Sequence, residues 1–230
     1  SKPLFEIQTS NDFDPITDAV VKISSVNGTV MLTYNSLNEI YEAANSASFV
    51  FPGLKYTLSI ETAEGKTAKA ETTVPFTSSF ISSVSYERIM GIDNQPYDRY
   101  RVGVNDDGSV ANYYRLGYEG IVRQPNGDTT FTQIVFDQLF TDANWNGGVT
   151  ERQADLYVYP SQPFGDSLIG RSFYILNSDQ HYYRFHESLI RYSNSNGNPF
   201  AEPTLIYTNV EGGLGIFASF STSSPFRKFY

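Results

Sequence analysis

At 230 residues and 40% hydrophobic content the chain can bury a sizeable core, and with no cysteine it must do so without disulfides. The same absence removes thiolate metal sites and cysteine nucleophiles, while 17 Tyr and 17 Phe favour strands. A formal net charge of −9 with scattered basic residues gains nothing from counterion release, which disfavours nucleic acid and anionic membrane surfaces as partners.

In chain order, a first strand is expected at Leu4–Gln8, close behind Ser1-Lys2-Pro3. Ala19–Val26 reads as a strand, Asn27-Gly28 as a hairpin turn and Thr29–Tyr34 as the return. After a polar link, Phe51-Pro52-Gly53 turns the chain into Tyr56–Glu61, which alternates apolar and polar with period two. Glu64-Gly65-Lys66 is a further turn, and Thr67–Val74 is a polar strand suited to a sheet edge. Short strands separated by turn signals predict an immunoglobulin- or fibronectin-III-like β-sandwich over residues 1–75, with a boundary at Val74–Ser79.

Residues 76–230 read as a larger β-rich domain. Strands are expected at Phe80–Tyr86, Tyr97–Asn105, Ala111–Val122, Thr129–Phe136, Leu156–Tyr159 and Arg171–Leu176, with a polar loop at Asp142–Gly148. One helix over about 179–193 is signalled by Ser178 or Asp179 as N-cap and by Tyr182, Phe185, Leu189 and Ile190 on one stripe. Pro199 and Pro203 then enforce an extended entry. Leu205–Tyr207 reads as a strand, Glu211-Gly212-Gly213 as a turn, and Leu214–Phe220 as a returning strand interrupted at Gly215. The fold class is mainly β with a single amphipathic helix.

Little in this chain points to catalysis or metal. His181 and His186 are five apart, which leaves their rings roughly 140° apart around a helix, whereas a metal pair wants an i,i+4 spacing. No Gly-x-Ser-x-Gly motif appears, and the serines lack an evident base. Asn105–Ser109 and the Asp12, Asp14, Asp18 group carry hard oxygen ligands without EF-hand spacing, so a hairpin turn is preferred to calcium. Glu211–Gly215 is a structural turn, because a phosphate cradle needs a helix N-terminus behind its glycines and no carboxylate in front. Trp145 sits in a polar loop, either anchoring it or stacking on a ligand; Trp145, Asn144 and Asn146 are the candidate ligand contacts.

The run Asn198-Pro199-Phe200-Ala201-Glu202-Pro203, followed by Tyr207-Thr208-Asn209-Val210-Glu211-Gly212-Gly213-Leu214-Gly215-Ile216-Phe217, resembles the C-terminal signature of the DUF4249 family, uncharacterised surface lipoproteins of Bacteroidota. Tyr182-Tyr183-Arg184-Phe185, Asp14–Val20, Thr73-Val74-Pro75 and Asn112–Leu116 are similar to earlier family pieces. The resemblance implies an outer-membrane, surface-exposed lipoprotein whose signal and acylated cysteine were trimmed ahead of Ser1. It also implies a TonB-dependent transporter as partner and attachment to the membrane only through the lipid. No cofactor or catalytic residue comes with it. Asn198, Pro199, Gly212, Gly213 and Gly215 are expected to shape backbone, and Tyr207 and Phe217 to fill core. The leading expectation is a non-catalytic protein that binds a glycan or peptide ligand or docks on the transporter. The alternatives are a glycan-active enzyme using Asp or Glu carboxylates beside Trp145, and a purely structural adhesion module with a flat apolar patch.

Overall fold

The computed structural model describes residues 14–43, 49–76, 79–92, 94–157, 167–195 and 204–230. The expected strand Leu4–Gln8 and the motif residues Asn198, Pro199, Phe200 and Pro203 lie outside the described residues.

Five strands come first: β1 (Val20–Ser25), β2 (Gly28–Asn35), β3 (Ile40–Glu42), β4 (Lys55–Glu61) and β5 (Thr67–Thr73). They form one antiparallel sheet in the order β3-β2-β1-β4-β5. Period-two alternation sorts its faces. Val21, Tyr56, Ala70 and Thr72 are buried, while their sequence neighbours Lys22, Lys55, Lys69 and Glu71 point to solvent. The β1–β2 turn differs from expectation by one position. Ser25 already pairs with Gly28, so the loop residues are Val26 and Asn27, and Gly28 opens the return strand at φ +129°.

The remainder comprises β6 (Phe80–Met90), β7 (Pro96–Asp106), β8 (Tyr113–Arg123), β9 (Thr129–Phe131), β10 (Val135–Thr141), β11 (Gly148–Tyr157), β12 (Ser167–Ser178), α1 (Gln180–Ser195), β13 (Phe220–Thr222) and β14 (Phe226–Phe229). Strands β11-β7-β6 make one sheet. A second sheet runs β10-β8-β12-β13, with β9 also on β8 and β14 also on β12. The two sheets close on each other as a sandwich. Its centre holds Tyr100, Val102 and Val104 of β7 against Tyr114 and Leu116 of β8 and Phe173 and Ile175 of β12, all with no exposed surface. Each such side chain contributes roughly 1.5–3 kcal/mol when removed from water.

Three expected elements are corrected. The single strand Thr129–Phe136 is two, because the chain breaks at Thr132, whose hydroxyl accepts the Gly120 N–H at 2.8 Å while its own N–H goes to the Gly120 carbonyl at 3.0 Å. The strand expected at Leu156 begins at Gly148, inside what reads as a polar loop, because its outward positions are Glu151, Gln153 and Asp155. The C-terminal hairpin is absent: residues 204–219 run as an irregular strap, and β13 starts only at Phe220. The helix forms where predicted and lies on the outer face of β8, β10 and β12. Of the expected stripe, Tyr182, Phe185 and Leu189 are half-buried and only Ile190 falls outside it. Ile190 is 48% exposed, while His186 and the buried Ser188 join the inward side.

Candidate functional site

The strap gives the C-terminal signature its meaning. It crosses the junction between the first sheet and the sandwich, and it is held by side chains where a hairpin would use its own backbone. Asn209 carries most of this. Its Nδ2 donates to the Glu71 carbonyl at 3.0 Å and to the Phe217 carbonyl at 2.9 Å, and its Oδ1 accepts the Phe217 N–H at 2.9 Å. Two residues on, Glu211 and Lys69 exchange both backbone hydrogen bonds, at 2.9 and 2.8 Å. The free edge of β5 is thereby continued by one residue of strap. Thr208 closes the loop from inside, donating its hydroxyl to the Gly215 carbonyl at 2.7 Å.

Two of the three signature glycines are required by geometry. Gly212 has φ +81°, and a Cβ there would sit 2.2 Å from the Thr67 carbonyl oxygen. Gly215 has φ +123° with open space around it. Gly213 has an ordinary φ, and its Cβ would meet nothing closer than 3.5 Å. Tyr207 and Phe217, expected in the core, are half-buried. Tyr207 turns toward the helix because its ring stacks on His181 at 6.1 Å and 16°, its hydroxyl meets His181 Nδ1 at 2.8 Å, and its N–H donates to Ser188 Oγ at 2.9 Å.

The helix start completes the junction. Asp179 is the N-cap, with its Oδ1 accepting the Tyr182 N–H at 2.8 Å. Its Oδ2 accepts the hydroxyl of Thr72 on β5, and its N–H donates to the Ser219 carbonyl at 3.0 Å. First sheet, helix and strap therefore meet at one buried carboxylate. Beside it lies an open groove of about 390 Å³, lined by Thr57, Lys69, Glu71, His181, Asn209 and Glu211.

The loop singled out by sequence is built differently. The Trp145 indole N–H donates to the Thr141 carbonyl at 3.1 Å, and the ring packs on the core 6.0 Å from Tyr114. Asn144 and Asn146 on either side are exposed. Two carboxylates lie behind the loop, both buried and engaged. Asp106 accepts from Tyr114 Oη, from Asn112 Nδ2 at 3.0 Å and from the Gly147 N–H at 2.7 Å; Asp142 accepts the Asn112 N–H at 2.9 Å. Their donors hold the Trp145 loop against β7 and β8. Asp107 serves its own turn, accepting the Ser109 N–H at 3.1 Å. Among the described residues no group of three or more His, Cys, Asp and Glu is placed to hold a metal ion.

A second set, missed by sequence reading, lies under the helix. Arg115 of β8 donates to Tyr182 Oη at 2.9 Å, approaches His186 Nδ1 at 3.2 Å and lies 5.2 Å from the Phe136 ring centre. Burial first, and then the neighbouring guanidinium, pull the His186 imidazole down to about 4, so it is neutral near pH 7. His186 thus serves packing and a hydrogen bond. The sequence signal was the position of His186 four residues after Tyr182, on the same helix face.

The profile of a family described as "Domain of unknown function (DUF4249)" matches residues 1–225. No curated protein and no solved structure matches the chain. Among the described residues no helix is long and apolar enough to cross a membrane.

Proposed function

Because the chain belongs to the DUF4249 family, we propose that it is a non-catalytic binding and docking protein: a lipoprotein of the outer-membrane surface that presents a ligand or itself to a TonB-dependent transporter. The observation that carries this reading is the junction. The family signature clamps two sheet-built modules together through Asn209 and Glu211, beside the Asp179 helix cap, and its outer side is an open polar groove. A rigid junction with fixed side chains suits recognition, because groups already ordered lose less freedom on binding.

The chemistry beside Trp145 favours the same reading over a glycan-active enzyme. An acid–base pair needs room for a sugar and water between its carboxylates. Asp106 and Asp142 are 5% and 3% exposed and already hold backbone and side-chain donors.

Solubilising the lipidated protein from native outer membranes and identifying what co-purifies tests the proposal. Stoichiometric recovery of a TonB-dependent transporter is the expected result. Recovery of the protein alone under several mild detergents defeats the docking half, and release of reducing ends from polysaccharides by the purified protein defeats the non-catalytic half.

A further inference from the structure

We propose that the polar face of the first sheet, extended by the strap, is a binding groove for a neutral oligosaccharide. The inference rests on the binding reading above and names its ligand class. Register fixes the surface. Lys22 pairs with Ser59, Ser59 with Lys69, and Lys69 with Glu211, so these four residues make one row across β1, β4, β5 and the strap. On one side of it lies the row Val20–Glu61–Thr67, and on the other Ser24–Thr57–Glu71, continued by the Asn209 amide. Alternate residues of a strand share a face, so all three rows face the same way. The groove at the helix start is joined, through the shared Lys69, to a shallower one of about 100 Å³ reaching Lys22 and Val20.

The chemistry of the rows selects the ligand. Lys22 and Lys69 balance Glu61 and Glu211, and none of the four has an ion-pair partner among the described residues. A surface with free donors and acceptors of both signs and no excess of either fits a ligand that is uncharged and rich in hydroxyls, each able to donate and accept. The neighbouring groups are already oriented. Glu71 is held by Lys55 Nζ at 2.5 Å, and His181 is held by the Tyr207 hydroxyl. The stacked His181–Tyr207 pair stands at the helix end of the groove.

An extended peptide is the competing occupant, and the fold disfavours it. Peptides dock on sheets chiefly by main-chain pairing along a free strand edge. The edge of β5 is already taken by Glu211 on Lys69 and by Asn209 on Glu71. What remains accessible is side chains on a face, which is how a glycan is read.

Calorimetry and amide-shift mapping would be run with malto-, cello-, xylo-, laminari- and mannohexaose on the whole chain, with K69A and E211A, and with the N144A/N146A double variant. Expected is binding of at least one hexasaccharide, with shifts confined to β1, β4, β5, His181 and residues 207–211. K69A and E211A should each weaken it about tenfold or more at unchanged melting temperature, and N144A/N146A should leave it unchanged. No binding by any hexasaccharide, shifts mapping to the Trp145 loop, or displacement of a bound sugar only by extended peptides each overturns the inference. Recovery of the transporter is an independent readout, so a protein that docks but binds no sugar sinks this inference alone.

Discussion

Thr72 and Asp179, 107 residues apart, share a buried hydrogen bond that joins the edge strand of the first sheet to the N-cap of the only helix among the described residues. The same carboxylate caps that helix, so one side chain serves local and long-range structure together.

Asp179→Ala removes both functions at once. Loss of the cap costs about 1 kcal/mol, and the Thr72 hydroxyl loses its carboxylate acceptor while keeping Ser219 Oγ at 2.7 Å, which adds roughly 0.5–1.5 kcal/mol. Urea denaturation should show the combined loss, with proteolytic cleavage appearing in residues 73–79 before global unfolding. Asp179→Asn, which keeps a capping oxygen, should recover part of it.

The signature glycines should separate. Gly212→Ala forces a Cβ against the Thr67 carbonyl at a positive φ and should destabilise by more than about 1 kcal/mol. Gly215→Ala meets only the backbone penalty, about 1 kcal/mol. Gly213→Ala, with an ordinary φ and no close contact, should fall within about 0.5 kcal/mol of wild type. A matched set of denaturation curves checks the order.

The half-buried His186 imidazole sets a pH dependence whose sign is fixed. His186 is depressed from 6.5 to about 4 in the folded chain, so the unfolded chain binds the extra proton between those values. Its contribution to stability is full above about pH 6.5 and is lost as pH falls toward 4. A proton NMR titration should place this ring near 4, and His186→Gln should flatten the urea midpoint across that window. A His186 that titrates at its ordinary value would contradict the burial described.

The single tryptophan makes its own test. Trp145→Ala strips a ring from the core margin and a hydrogen bond from Thr141, for a loss of roughly 2–3 kcal/mol. Asn144→Ala and Asn146→Ala, both exposed, should change stability by less than about 0.5 kcal/mol. Trp145 emission should be blue-shifted in the native state and move red in a single step on unfolding of the sandwich.

Much of the β framework was legible because alternation is a local property. Tyr56–Glu61 announces its buried and exposed faces in six letters, and the structure places β4 there. The helix cap was equally readable from Asp179. What escaped is non-local. The Leu205–Tyr207 and Leu214–Phe220 runs have strand composition, yet Tyr207 bonds the helix while Asn209 and Glu211, between the runs, bond Glu71 and Lys69, and no periodicity encodes a partner 138 residues away. His186 reads in the sequence only as one of two histidines spaced poorly for a metal, because the residue that meets it, Arg115, lies 71 residues earlier. The groove is hidden for the same reason: its rows come from β1, β4, β5 and the strap, and only register brings them together.

The strap also governs the order of assembly. Ribosomes deliver β5 well before Ser219, and the contacts that finish the junction span 138 residues for Asn209–Glu71 and 147 for Thr72–Ser219. Closing loops of that length precedes any reward from the contacts, so this step is slow relative to hairpin formation. Until Asn209, Glu211 and Ser219 are made, the first sheet must wait with its outer strand unfinished and the Thr72 hydroxyl without its distant partners.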